Sequence, residues 1–136
     1  MKEQFPELHI SLNGGVKCLS EAHKLLSKGI DGVMIGRSAY QQPTEILSNV
    51  DEIIFKNETF TSPFDIADEM RDYLKKHCEN GGSPHQVTRH MMGLFHGLPG
   101  AKAWRQHLSN APRSNKLDFF DEALQAVRNS VTSAAA

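Results

Sequence analysis

Two glycine-bearing segments in the first part of the chain have the composition of an anion site: Asn13-Gly14-Gly15 and, further on, Gly36-Arg37. Glycines let backbone N–H groups approach an anion closely. An arginine beside them adds a charge-assisted hydrogen bond. Taken alone, Asn-Gly-Gly is an ordinary turn. Each segment here follows a predicted strand, and the loops after the last two strands of a (β/α)8 barrel commonly form a phosphate site. The pair therefore predicts phosphate binding.

A second set of residues is cationic. From His85 to Leu117 there is no carboxylate, whereas Arg89, Lys102, Arg105, Arg113 and Lys116 all fall there, with His85, His90, His96 and His107. Such a run is a local basic surface in a protein whose net charge is only −1. Lys102 and Arg105 are three residues apart, beside an Ala101/Trp104/Leu108 stripe, a spacing that can meet successive phosphates of a folded RNA. Reading 85–96 as one helix with Val87, Met91, Leu94 and Phe95 inward places His85, Arg89 and His96 together on the solvent face. Ordinary helix solvation is the competing explanation for these charges. Trp104 reads as a core anchor rather than a base-stacking platform.

Other chemistries are not indicated. The histidines form no H-x-x-x-H and have no acidic ligands among them, so no metal site is expected. No Ser/His/Asp or Cys/His arrangement is legible. Cys18 and Cys78 are the only cysteines and form no C-x-x-C, which predicts two reduced thiols in a cytoplasmic protein. Cys18 lies near a helix start, where a thiol pKa falls, although a packed or surface thiol is the plainer reading. Apolar residues make up 39% and charged residues 23% of the 136, a composition short of disorder. No apolar run is long enough to span a membrane, and Met1–Pro6 lacks the apolar stretch of a signal peptide.

The elements that must position these residues follow from pattern. Leu8–Leu12 alternates as a strand that Asn13-Gly14-Gly15 ends. Ser20 is the expected N-cap of a helix carrying Ala22, Leu25 and Leu26, with Gly29 at its C′ position. Gly32–Gly36 reads as a short, fully buried strand of the parallel-sheet type, and Pro43 as the first residue of another helix. This order is a βαβα unit with both strand ends on one side.

After residue 60 only helices are predicted. Ser62-Pro63-Phe64-Asp65 opens one with Phe64, Ala67, Met70 and Leu74 on a face, and Ser83-Pro84-His85-Gln86 opens the next. Pro99 is the expected start of a third, Asn110 to Lys116 a polar loop, Asp118 the cap of a last helix and Ser133–Ala136 a frayed end. The fold class is α/β plus all-α: residues 1–60 as the last two βα units of a (β/α)8 TIM barrel, residues 61–136 as a helical domain. Two parallel strands leave two open edges and little core, so the first part needs further strands.

Asn13-Gly14-Gly15-Val16-Lys17 and the run from Asp31-Gly32-Val33-Met34-Ile35-Gly36-Arg37 to Pro43 resemble the last two barrel strands of the tRNA-dihydrouridine synthases. The run from Thr88-Arg89-His90-Met91-Met92-Gly93 to Gly100-Ala101 resembles the helical domain of their bacterial A-type subfamily, which acts at uridines 20 and 20a of the D-loop. The resemblance extends from about Leu8 to Val127. It implies a barrel that binds FMN, NADPH as reductant, hydride delivery to the uracil C5–C6 double bond, and a cysteine as general acid. It places Asn13, Gly14, Gly15, Gly36 and Arg37 at the FMN phosphate, and Lys102 and Arg105 on tRNA, joined by Arg89 from the basic run. Lys102 departs from the family, where arginine is expected. A lysine keeps the charge and loses bidentate phosphate geometry.

The resemblance also implies that the first six strands, with the catalytic cysteine, have no counterpart here. Neither Cys18 nor Cys78 matches that cysteine, so no catalytic residue is assigned. The chain is then expected to be inactive alone and to need the N-terminal barrel portion as a partner. Two other readings stay open: a non-enzymatic RNA-binding helical module, or a piece of another FMN barrel oxidoreductase.

Overall fold

The computed structural model describes residues 2–57, 60–110 and 117–136. The described residues form two compact units, Met1–Phe60 and Thr61–Ala136.

In the first unit, β1 (Ser11–Asn13) and β2 (Gly32–Met34) pair in parallel, with Ser11 opposite Gly32, Leu12 opposite Val33 and Asn13 opposite Met34. The crossover is α1 (Leu19–Ser27), since parallel neighbours cannot be joined by a tight turn. Both strands are shorter than the apolar pattern predicts. β2 is also not fully buried: Gly32 and Val33 are half-buried and Met34 is 51% exposed. A parallel strand is enclosed only when it has neighbours on both edges and cover on both faces, and the described residues supply a single neighbour. The pairing is close at Gly32, where a Cβ would collide with the Ser11 side chain.

The entry to β1 is held by Asp31, whose carboxylate accepts the Ile10 N–H at 2.8 Å and pairs with the Lys2 ammonium at 2.7 Å. α1 starts two residues earlier than expected. Its N-cap is Cys18 in extended backbone, not Ser20, and Gly29 follows the helix at φ +88° as its C′ residue. Three short helices complete the unit: α2 (Arg37–Gln41), α3 (Pro43–Leu47) and α4 (Val50–Ile53), with Pro43 at the first position of α3 as predicted. The buried apolar set is small: Val16, Leu19, Ala22 and Ile46.

The second unit comprises α5 (Pro63–Glu79), α6 (Pro84–Thr88), α7 (Ala101–Ser109) and α8 (Asp118–Ala135). The Ser62 hydroxyl accepts the Phe64 N–H at 3.2 Å, and Ser83 and Gln86 form a reciprocal capping box, as the Ser-Pro starts predict. Trp104, Phe95, Phe120, Leu74, Leu108 and Val127 are fully buried. Trp104 sits edge-to-face between Phe95 and Phe120, with ring centroids 4.8 and 5.4 Å away. Its indole N–H donates to the Met91 carbonyl at 2.8 Å, so it is a core anchor.

One predicted helix is replaced by turns. α6 stops at Thr88, and the segment to Gly100 runs through successive four-residue turns, among them His90 N–H to Val87 O, Leu94 N–H to Met91 O and Leu98 N–H to Phe95 O. Val87, Met91, Leu94 and Phe95 are buried as expected, but His85, Arg89 and His96 do not share one helix face. α7 begins after Gly100 rather than at Pro99. Gly100 has φ +86°, and a Cβ there would lie 2.8 Å from the Val127 Cα on α8. Asp118 is the first residue of α8, with Leu117 in the cap position, and the helix continues to Ala135 where fraying was predicted. Residues 111–116 of the predicted polar loop, with Arg113 and Lys116, lie outside the described residues.

Two ion pairs tie α5 to α8. Arg71 Nε and Nη2 reach the two Asp121 oxygens at 2.5 and 2.7 Å, and Arg128 Nη2 reaches Asp68 at 2.9 Å while its guanidinium covers the Phe64 ring at 5.1 Å. No helix among the described residues is long and apolar enough to cross a membrane.

Candidate functional site

The loops that leave β1 and β2 open on one cavity of about 660 Å³. Asn13, Gly14 and Gly15 line it from the first loop, and Gly36 and Arg37 from the second. All five residues predicted for the phosphate site are thus brought together. The parallel register does this, because Asn13 and Met34 are opposite each other at the strand ends.

Gly14 at φ +133° and Gly15 at φ +80° occupy backbone that L-residues rarely adopt, and no atom lies within 4 Å of where their Cβ would be. The glycines are required by conformation, and the space beside them is open for a ligand to touch backbone. Lys17 and Arg37 are the charged residues in the cavity wall, and among the described residues no carboxylate lines it. Two other surface depressions each include a glutamate, Glu79 in one and Glu52 in the other. The combination of free backbone and uncompensated positive charge suits an anion.

Lys17, Ser38, Gln41 and Gln42 also line the cavity and were not singled out from the sequence. Gln41 and Gln42 reach it because α2 turns the chain directly after Gly36. The Lys17 N–H is taken by the Glu21 carboxylate at 3.1 Å, which fixes the loop where it enters α1. The only sequence signal for these four is adjacency to the glycine segments.

Cys18 is exposed outside this wall. The Ser20 hydroxyl at 3.2 Å, aided by backbone N–H groups, lowers its thiol pKa. Cys78 is buried in the second unit, and burial pushes its thiol pKa up. No cluster of three or more His, Cys, Asp or Glu suited to a metal occurs among the described residues.

In the second unit Lys102 and Arg105 are exposed on α7, beside the buried stripe of Ala101, Trp104 and Leu108. Neither is paired with a carboxylate among the described residues, in contrast to Arg71 and Arg128. Arg89 is exposed as the C-cap residue of α6, with its Nε–H directed at His90 Nε2 at 2.9 Å. α7 therefore presents two available cations one turn apart, whereas Arg89 reaches the surface from a separate turn.

The profile described as dihydrouridine synthase (Dus) matches residues 1–132. A protein named tRNA-dihydrouridine(20/20a) synthase from Salmonella typhi is 46% identical over 130 residues, covering 93% of this chain and 39% of the relative. Proteins of the same name from Vibrio cholerae and Shewanella oneidensis are 43% and 41% identical, covering 93% and 85% of this chain. They are matched over 39% and 34% of their own lengths, so the chain spans about two fifths of the relatives it matches. With its glycine loops, its cations and this similarity along nearly its whole length, the chain belongs to the dihydrouridine synthase family.

Proposed function

We propose that this chain provides the C-terminal portion of a tRNA-dihydrouridine synthase: the FMN-phosphate end of a TIM barrel in residues 1–60 and a tRNA-binding helical domain in residues 61–136. The substrate is the D-loop uridine at position 20 or 20a, reduced at its C5–C6 double bond, in the cytoplasm. The observation that carries the reading is the cavity between the two strand ends, with open glycine backbone and Arg37 in a wall free of carboxylates among the described residues.

The residues present suit FMN. A terminal phosphate needs backbone donors and positive charge, which Gly14, Gly15, Gly36 and Arg37 offer in one place, with Asn13 at the rim. Bound there, FMN would supply the hydride for the uracil, with NADPH as its reductant. The task of this chain is then to anchor the cofactor by its phosphate and to hold the RNA through Lys102, Arg105 and Arg89. No residue of the chain is assigned the general acid, because Cys78 is a core residue and Cys18 lies outside the cavity wall. A barrel needs more strands than two to close, so the 136-residue polypeptide by itself is expected to show no turnover.

The test is a segment replacement. The matching part of the Salmonella typhi relative is exchanged for this chain, and dihydrouridine in tRNA is read by mass spectrometry of nucleosides. The chimera is expected to hold FMN and form dihydrouridine with NADPH. A soluble, folded chimera that holds no flavin would overturn the phosphate assignment. One that holds flavin, oxidises NADPH and leaves tRNA unchanged would overturn the RNA assignment.

A further inference from the structure

We infer that Tyr73, backed by His77, forms a stacking seat for one unpaired base of the bound RNA. This rests on the proposed RNA-binding role of the helical unit and adds to it a non-ionic contact on a different helix.

Among the described residues of the second unit, Tyr73 is the only large hydrophobic side chain that stands exposed to solvent, at 55%. Its ring lies nearly parallel to the His77 imidazole, with centroids 6.3 Å apart and planes 16° from each other. His77 in turn is fixed. Its Nε2 faces Gln86 Oε1 at 3.0 Å, and the same oxygen accepts the Ser83 N–H at 3.0 Å in the capping box of α6. An oxygen already receiving one donor leaves its other lone pair for His77, so Nε2 carries the hydrogen and donates. Gly82 lies so close to the Nε2 edge of the imidazole that a Cβ there would overlap the ring. The pair is therefore a preorganised aromatic surface held from two elements, with one Tyr face left to solvent.

Its surroundings favour a nucleotide. Lys76 is three residues on from Tyr73, on the same side of α5. The carboxylates nearest Tyr73 along α5 are Glu69, one turn before it, and Asp72, its neighbour in sequence. Arg89 is three residues on from Gln86, so it emerges from the side of α6 that grips His77, and it belongs to the cations proposed to meet RNA. An exposed π face with a lysine one turn away offers a base a surface to stack on and its phosphate a cation, and every base has a face to stack.

The experiment uses the full chain and three probes: an unmodified tRNA transcript, an eight-residue oligouridine and a blunt RNA duplex without unpaired bases. Tyr73→Ala is expected to weaken tRNA and oligouridine binding by about five- to 150-fold, from the usual range for one base–aromatic stack. Tyr73→Trp is expected to restore it and Tyr73→Leu is not. Duplex binding and the thermal midpoint should stay unchanged in all three, and the salt slope should stay as in the parent because no charge is removed. If Lys102→Ala/Arg105→Ala weakens binding and Tyr73→Ala does not, the stacking seat is overturned while the RNA reading stands. Equal weakening on the duplex, or rescue by leucine, also overturns it. Failure of the parent chain to bind any of the three probes overturns both.

Discussion

The double substitution Lys102→Ala/Arg105→Ala removes two cations that lie one turn apart on α7, exposed and unpaired with any described carboxylate. If each neutralises one phosphate, the dependence of log K on log salt becomes shallower by about 0.7 to 0.9 per contact, hence by roughly 1.4 to 1.8 in total. Over a fourfold rise in salt the parent should therefore lose about seven- to twelvefold more affinity than the variant. The assay is fluorescence-detected tRNA binding at several salt concentrations. Arg128→Ala is the control, since that guanidinium is held by Asp68 at 2.9 Å and covers Phe64. It removes the same kind of charge and should leave the slope unchanged while lowering the melting temperature. An unchanged slope in the double variant, or an equal change in Arg128→Ala, would refute the reasoning.

Two further predictions concern the helical unit. Gly100→Ala meets both a positive φ and the Val127 Cα at 2.8 Å, and should cost about 2–4 kcal/mol in chemical denaturation from backbone strain plus overpacking; a cost below 1 kcal/mol would show that α7 and α8 part freely. Asp121→Asn breaks the bidentate pair with Arg71. The side chains are 41% and 46% exposed, so solvent screening limits the cost to about 1 kcal/mol or less. The Arg71 guanidinium holds the Asp121 carboxyl below the usual carboxylate range. A depressed folded-state pKa stabilises above the unfolded value and is lost as pH falls through the folded one. The parent's advantage over Asp121→Asn in thermal melts should therefore be full at neutral pH and vanish on acidification below about pH 4; a pH-independent difference would contradict this.

That the residues of the proposed phosphate site meet at one cavity was legible because its parts are backbone chemistry written in residue type. Glycines after strands and one arginine suffice to predict it, and the parallel register then brings them together. Gln41 and Gln42 were not legible as cavity residues, because α2 is a five-residue helix whose only cue is the Gln-Gln-Pro that ends it, and Lys17 carries no signal beyond its place after Gly15. The helix starts at Pro63 and Pro84 were readable from Ser-Pro capping signals. The stretch from Arg89 to His96 was misread for a specific reason, whereas Gly97-Leu98-Pro99-Gly100 is the turn its composition predicts. Four-residue turns bury Val87, Met91, Leu94 and Phe95 with nearly the period of a helix, so burial alone cannot separate the two. Trp104, which donates to the Met91 carbonyl from α7, decides the matter through a long-range contact. Ser20 is the cap that residue type predicts, yet the local backbone places Cys18 at the helix boundary without any side-chain cap. Family membership removes the alternative of an unrelated FMN barrel.

The central claim is that this chain holds a flavin by its phosphate. The most direct measurement is a paired titration of the 136-residue chain with FMN and with riboflavin, which lacks the phosphate, followed by flavin fluorescence with circular dichroism on the same sample. Saturable FMN binding is predicted, with competition by inorganic phosphate, loss in Arg37→Ala and no binding of riboflavin. Equal binding of the two flavins, or no binding of FMN by a chain with intact circular dichroism, would contradict the account.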